Sequence, residues 1–117
     1  MNPSTIKQLT ELAIRFRDER DWRQFHNFKD MALSMTLEVA ELCELMQWKN
    51  GEELSAHLVA NRQRVGEELS DVLFWVLVIA NDLNIDIDDA FRQKLEENAK
   101  KYPIDKSKGR STKYTDL

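Results

Sequence analysis

Apolar residues recur at helical spacing along most of this chain, and in two stretches they crowd round the whole helix. Ile6, Leu9, Leu12, Ala13 and Phe16 fall on one face behind Ser4 and Thr5, which can cap a helix after Pro3, so the pattern predicts an amphipathic helix ending near Arg20. The segment DWRQFHNFKD, residues 21–30, breaks the period and reads as a connector. A second helix is expected from about Lys29 to Trp48, with Asn50 and Gly51 as its stop, and a short one over GEELSAHLVA. A fourth runs from about Asn61 to Leu83. Asp86 then caps a last helix through Phe91, Leu95 and Ala99, which Pro103 stops after Tyr102. With no strand pattern, the class is all-α: a bundle of four main helices, the second and fourth buried at its centre.

Those two central helices contain the anomaly. Leu37, Val39, Ala40, Leu42, Leu45, Met46 and Trp48 leave the second helix almost no polar face, yet Glu38, Glu41 and Glu44 sit within it. The fourth is apolar from Leu69 to Ala80 apart from Ser70 and Asp71, with Glu67 and Glu68 at the entrance. A carboxylate taken out of water costs several kcal/mol unless something charged meets it. Glu38 and Glu41 are three residues apart, as are Glu68 and Asp71, so each pair projects from one side of its helix. Antiparallel packing brings four carboxylates together, an arrangement that makes sense with a cation between them. Oxygen-only ligands point to Mg²⁺, with Mn²⁺ as a substitute, and a carboxylate-held ion that keeps waters suits phosphate chemistry. The competing reading is a set of solvated acids, which 21 Asp and Glu produce somewhere at this spacing. A di-iron site needs Glu-x-x-His on two helices, and the residues three before His26 and His57 are Arg23 and Leu54.

Composition narrows the class. A 117-residue chain with 32% charged residues, three Gly and two Pro favours one soluble, helix-rich domain over residues 1–117, with 103–117 as a basic, irregular tail. The net charge of −4 argues against a partner among nucleic acid polymers. Cys43 stands alone inside the apolar helix and is expected to be a core thiol, and a reducing cytoplasm is the simplest compartment. The longest apolar run, residues 72–80, is about half the roughly 20 residues a bilayer span needs, and the N-terminal residues carry no signal-peptide pattern. Two apolar helices with few elements to cover them imply a homo-oligomer, a dimer or tetramer.

Trp22, Phe25, His26 and Phe28 fill the connector, and Trp48 ends the second helix. Such rings can sandwich a nucleobase or form a small satellite core, and local spacing leaves both readings open. Lys94, Lys100, Lys101, Lys106, Lys108, Arg110 and Lys113 make the C-terminal end locally basic, either as a solvated face or as a triphosphate contact.

Taken together, ERDWRQFH at 19–26, LEVAELCELMQWK at 37–49, EELSDVLFWVL at 67–77, NAKKYP at 98–103 and KYTDL at 113–117 resemble the MazG-like nucleotide pyrophosphohydrolases, most closely the dCTP pyrophosphatase group. The signature E-x-x-E, spacer, E-x-x-D is read here as Glu38, Glu41, Glu68 and Asp71. The resemblance implies that these four bind Mg²⁺; independently of it, Glu41 is taken as general base. The resemblance also implies that the protein cleaves a nucleoside triphosphate, dCTP or a 5-modified relative, to monophosphate and pyrophosphate in nucleotide pool sanitation. By position it assigns the nucleotide pocket to His26, Trp48, Lys94, Asn98 and Tyr102, with Trp22 and Phe25 nearby; in the mechanism read here, Lys94 or Lys101 offsets charge on the departing pyrophosphate. A hydrolase for dUTP or another base and a non-enzymatic helical adapter are the alternatives.

Overall fold

The structure, a computed structural model, describes residues 4–117, so Pro3 lies outside the described residues. Among these every regular element is helical: α1 (Ile6–Glu19), α2 (Phe28–Met46), α3 (Gly51–Ala60), α4 (Arg62–Asp82), α5 (Ile87–Lys101) and α6 (Ile104–Ser107), with 3₁₀ turns at Arg23–Phe25 and Tyr114–Asp116. The all-α class and the four main helices α1, α2, α4 and α5 are as the apolar period predicts. The chain falls into two compact units, one ending at Asn84 and one spanning Ile85–Leu117. None of the described helices is long and apolar enough to cross a membrane.

In the first unit local chemistry sets the helix ends. Thr5 opens α1 with a capping box: its hydroxyl accepts from the Gln8 backbone N–H, and its own N–H donates to the Gln8 side chain. The far end closes as a Schellman motif, with Asp21 left-handed at φ 53° and the Trp22 N–H donating to the Arg17 carbonyl. Asn27 caps α2 through Asp30 N–H, so the helix begins at Phe28. It ends at Met46, two residues short of the expected Trp48. Gln47 (φ −58°, ψ 135°) and Trp48 (φ 69°) form the middle of a type II turn closed by the Lys49 N–H on the Met46 carbonyl. Trp48 occupies the position where that turn favours glycine, at a strain cost of roughly 1–3 kcal/mol.

The core of this unit is small. Ala13 of α1, Met31 of α2 and Val78 of α4 are buried against one another, and Ile14, Phe74, Trp75 and Ile79 pack around them. Met31 and Val78 are removed from water almost entirely, each worth roughly 1.5–3 kcal/mol. α2 and α4 form the most extensively packed pair and run antiparallel: Met31 meets Val78 at one level, Glu38 shares a wall with Asp71 at the next, and Glu41 with Glu68 beyond it. Within one chain these helices are covered only in part. Leu33, Leu37 and Val39 on α2 and Leu69 and Leu73 on α4 are exposed, Leu37 by 64%. Cys43 is exposed as well, which corrects the expectation of a core thiol, because its side of α2 has no described element packed over it.

In the second unit Asp86 caps α5 through the Asp89 N–H, Asp88 and Asp89 sit at its positive end, and Lys100 and Lys101 at its negative end. Residues 103–117, expected to be irregular, carry α6 and the final 3₁₀ turn.

Candidate active site

Antiparallel packing brings Glu38, Glu41 and Glu68 together, each offering a carboxylate oxygen within 4.8 Å of the others. Asp71 lies one turn beyond Glu68 on α4 and outside that group, although its charge reaches both Glu38 and Glu68. Glu38 Oε2 and Glu68 Oε2 are buried without a hydrogen-bond partner. Buried acceptors are ordinarily satisfied, so two orphaned carboxylate oxygens facing a third acid are the donor set a hard divalent cation takes. The residues present fit such an ion.

Electrostatics record the cost of leaving the acids unmatched. Burial, followed by the charges of Glu41 and Asp71 and hydrogen bonding to Glu41 and Glu68, pushes the Glu38 carboxyl up to about 7. Glu68 is also raised, by burial and then by Glu41. The folded, metal-free protein therefore holds an extra proton between the ordinary carboxylate range and about pH 7, so this acid removes stability as pH rises through that window. His26 works the other way, because burial and then the Arg17 charge lower its pKa. Comparing wild type with Glu38→Gln cancels the histidine contribution. Without metal, the wild-type melting temperature will fall relative to Glu38→Gln between about pH 5 and about pH 8, and Mg²⁺ will reverse that trend by favouring ionised carboxylates. A constant difference across the range in calorimetry would contradict the shared-proton reading.

Two cavities adjoin the carboxylates. The first, about 570 Å³, is apolar and lies between α1 and α4, with Leu12, Ala13, Phe16 and Trp75 along it and Glu38 and Asp71 on its wall. The second, about 440 Å³, is polar, with Glu41 and Glu68 on its wall. Residue-by-residue reading missed both, because each is lined by side chains from different helices.

The other predicted site residues fall into two groups. In the first unit, the His26 ring meets Trp75 edge-on at 5.0 Å, and its Nδ1 is buried without a partner. Trp22 packs edge-on against Phe16 at 5.7 Å, while Arg20 stacks over Phe16 at 3.8 Å. Phe25 is exposed and Trp48 nearly fully so, at 87%. Lys94, Asn98, Lys101 and Tyr102 belong to the second unit; the first three are spaced along one side of α5, and Tyr102 is that helix's C-cap. There Lys94 pairs with Glu97 at 3.6 Å, Lys101 lies 5.0 Å over the Tyr114 ring, and Tyr102 meets Tyr114 edge-on.

Sequence reading also missed Arg17, the largest fully buried side chain, only 1% exposed. Its Nη1 donates to Asp82 Oδ2 at 2.7 Å, and its Nε lies 3.4 Å from Asp18. Burial works against both charges, but the pair wins: Arg17 is raised and Asp82 is held below the usual carboxylate range. No local spacing could have found a pair 65 residues apart.

Comparison with known proteins supplies the context. The sequence model of the MazG-like family matches residues 33–117. dCTP pyrophosphatase 1 from Bos taurus is 38% identical over 115 residues, covering 97% of this chain and 68% of that protein. Its Homo sapiens counterpart is 36% identical over the same coverage. Among solved structures, a pyrophosphatase from Archaeoglobus fulgidus DSM 4304 superposes with a TM-score of 0.80 at 34% identity, covering 88% of this chain and 96% of its own.

Proposed function

The chain belongs to the MazG-like family and is a nucleotide pyrophosphohydrolase, and on that premise we propose that it hydrolyses dCTP, or a 5-substituted relative, to the monophosphate and pyrophosphate with Mg²⁺. The supporting observation is the convergence of Glu38, Glu41 and Glu68 beside an apolar cleft, a phosphate-handling centre next to a space suited to a flat base. The relatives named dCTP pyrophosphatase 1 favour cytosine over the alternative bases.

Glu38, Glu41 and Glu68, with Asp71 one turn beyond, would hold Mg²⁺, or Mn²⁺ in its place. When bound, the cation neutralises phosphate charge and supplies an activated water. Glu41, the exposed member of the cluster, takes the proton that water loses as its oxygen bonds to phosphorus. The phosphoric anhydride bond between the first and second phosphates breaks, and its electron pair leaves on oxygen. His26, Trp22, Phe25, Trp48, Lys94, Asn98, Lys101 and Tyr102 are the residues proposed to contact the nucleotide, with Lys94 or Lys101 offsetting charge on the pyrophosphate. The apolar stripe of α2 joins chains into a dimer or tetramer, and a scattering mass of 13.8 kDa at micromolar concentration would refute this. We place the enzyme in the cytoplasm, where its unpaired thiol stays reduced and where a fluorescent fusion should be found.

The test is kcat/KM for dCTP, 5-methyl-dCTP, dUTP, dTTP and dATP, with and without EDTA. Wild type will prefer the cytosine pair and lose activity in EDTA. Trp48→Ala will forfeit stacking worth roughly 1–3 kcal/mol, seen as a raised KM and a flattened base preference. His26→Ala will penalise dCTP more than its competitors. If both variants reduce all five substrates by one factor, these residues do not recognise the base.

A further inference from the structure

The polar cavity beside the carboxylates has a feature the acid cluster does not explain. Besides Glu41, Glu44 and Glu68 its wall carries Lys49, His57 and Arg64. Arg64 sits one turn before Glu68 on α4, yet it forms no salt bridge among the described residues. Lys49 has only a long 3.8 Å pair with exposed Glu53. His57 is oriented by Asn61, whose Nδ2 donates to the His57 carbonyl at 2.9 Å and lies 3.2 Å from His57 Nδ1. The carbonyl contact fixes the amide orientation, and an amide NH₂ only donates. Nδ1 is therefore the acceptor, the neutral ring carries its proton on Nε2, and that N–H remains to serve the cavity. Three donors converging on one polar space, two of them formally cationic and weakly paired, have the chemistry of an anion cradle.

The two cavities meet different faces of the cluster. Glu38 and Asp71 belong to the apolar one, Glu41 and Glu68 to the polar one. We infer that the outer two phosphates of the bound substrate are held in the polar cavity by Lys49, His57 and Arg64. Pyrophosphate then departs through the polar cavity. This inference rests on the reading of the chain as a triphosphate pyrophosphohydrolase. It adds a second set of phosphate contacts, separate from those proposed on α5.

The probe is inorganic pyrophosphate with Mg²⁺, measured by calorimetry and as a product inhibitor of dCTP turnover. Arg64→Ala and Lys49→Ala will each weaken pyrophosphate binding about 10-fold, and the double variant further, with a matching rise in KM for dCTP. Arg64→Lys will recover part of the loss. Arg62→Ala, a charge two residues along the same helix and outside the cavity, will change neither quantity. Melting temperature in Mg²⁺ will be unchanged in Arg64→Ala, which separates lost phosphate contact from a damaged metal site. Pyrophosphate affinity within twofold of wild type in the double variant overturns the inference. If wild type turns over no triphosphate, the functional reading fails on its own. Calorimetry, which needs no turnover, still decides the cradle: binding lost in the double variant supports it, and binding absent or unchanged removes it.

Discussion

Glu68→Gln will lower kcat by on the order of 100-fold or more, with no loss of folded protein. Even a group that only supports a metal ligand commonly costs 10–100-fold when removed, and Glu68 is proposed as a direct ligand. The same substitution separates catalysis from stability by sign. Glu68 is raised by burial and by Glu41, so in the metal-free fold its charge is unwelcome. The neutral amide should raise the metal-free melting temperature while losing most of the gain from Mg²⁺. For wild type that gain reaches about 2.7 kcal/mol when the ion is present at 100 times its dissociation constant. Calorimetry with and without millimolar Mg²⁺, beside steady-state turnover, tests all three. A variant that keeps wild-type kcat and the wild-type Mg²⁺ response would remove Glu68 from the metal site.

Arg17→Ala will destabilise the fold by about 3–5 kcal/mol, enough to lower the melting temperature by on the order of 10 °C or more. The reason is what it leaves behind. Asp82 is largely buried, and its ionised form depends on the 2.7 Å contact with Arg17. Without the guanidinium the carboxylate must either stay charged and unmatched or take up a proton. Arg17→Met with Asp82→Leu removes both charges while keeping apolar volume, so it will be far less harmful than either truncation alone. Urea denaturation of the single and double variants measures the difference. Additive losses would mean that the two side chains stabilise the fold independently.

The fold was legible because its cues are local. The caps at Thr5 and Asp86 stand directly before amphipathic runs, and the expected bounds of α4 fall within a residue of the observed ones at each end, whereas the Asn27 cap inside the aromatic connector is not among the expected ones. The acid pairs were legible for the same reason, since i, i+3 spacing fixes a shared face. Three features were not. The Arg17–Asp82 pair joins α1 to the end of α4, and only tertiary packing selects it from many possible charge pairs. Trp48 was read as helical because a bulky aromatic carries no turn signal, yet it adopts a left-handed backbone where Gly or Asn would be expected. Cys43 has apolar neighbours in sequence but not in space, because that side of α2 is open.

The turn at Trp48 has a calorimetric consequence. A backbone held at φ 69° aims the indole by main-chain geometry, and the ring waits 87% exposed in water. Whatever comes to cover it, base or neighbouring chain, removes apolar area from solvent at a residue whose backbone is already committed. Association at this ring should therefore carry a negative heat-capacity change, and Trp48→Ala should make that change smaller even at temperatures where enthalpy and entropy compensate and the affinity barely moves.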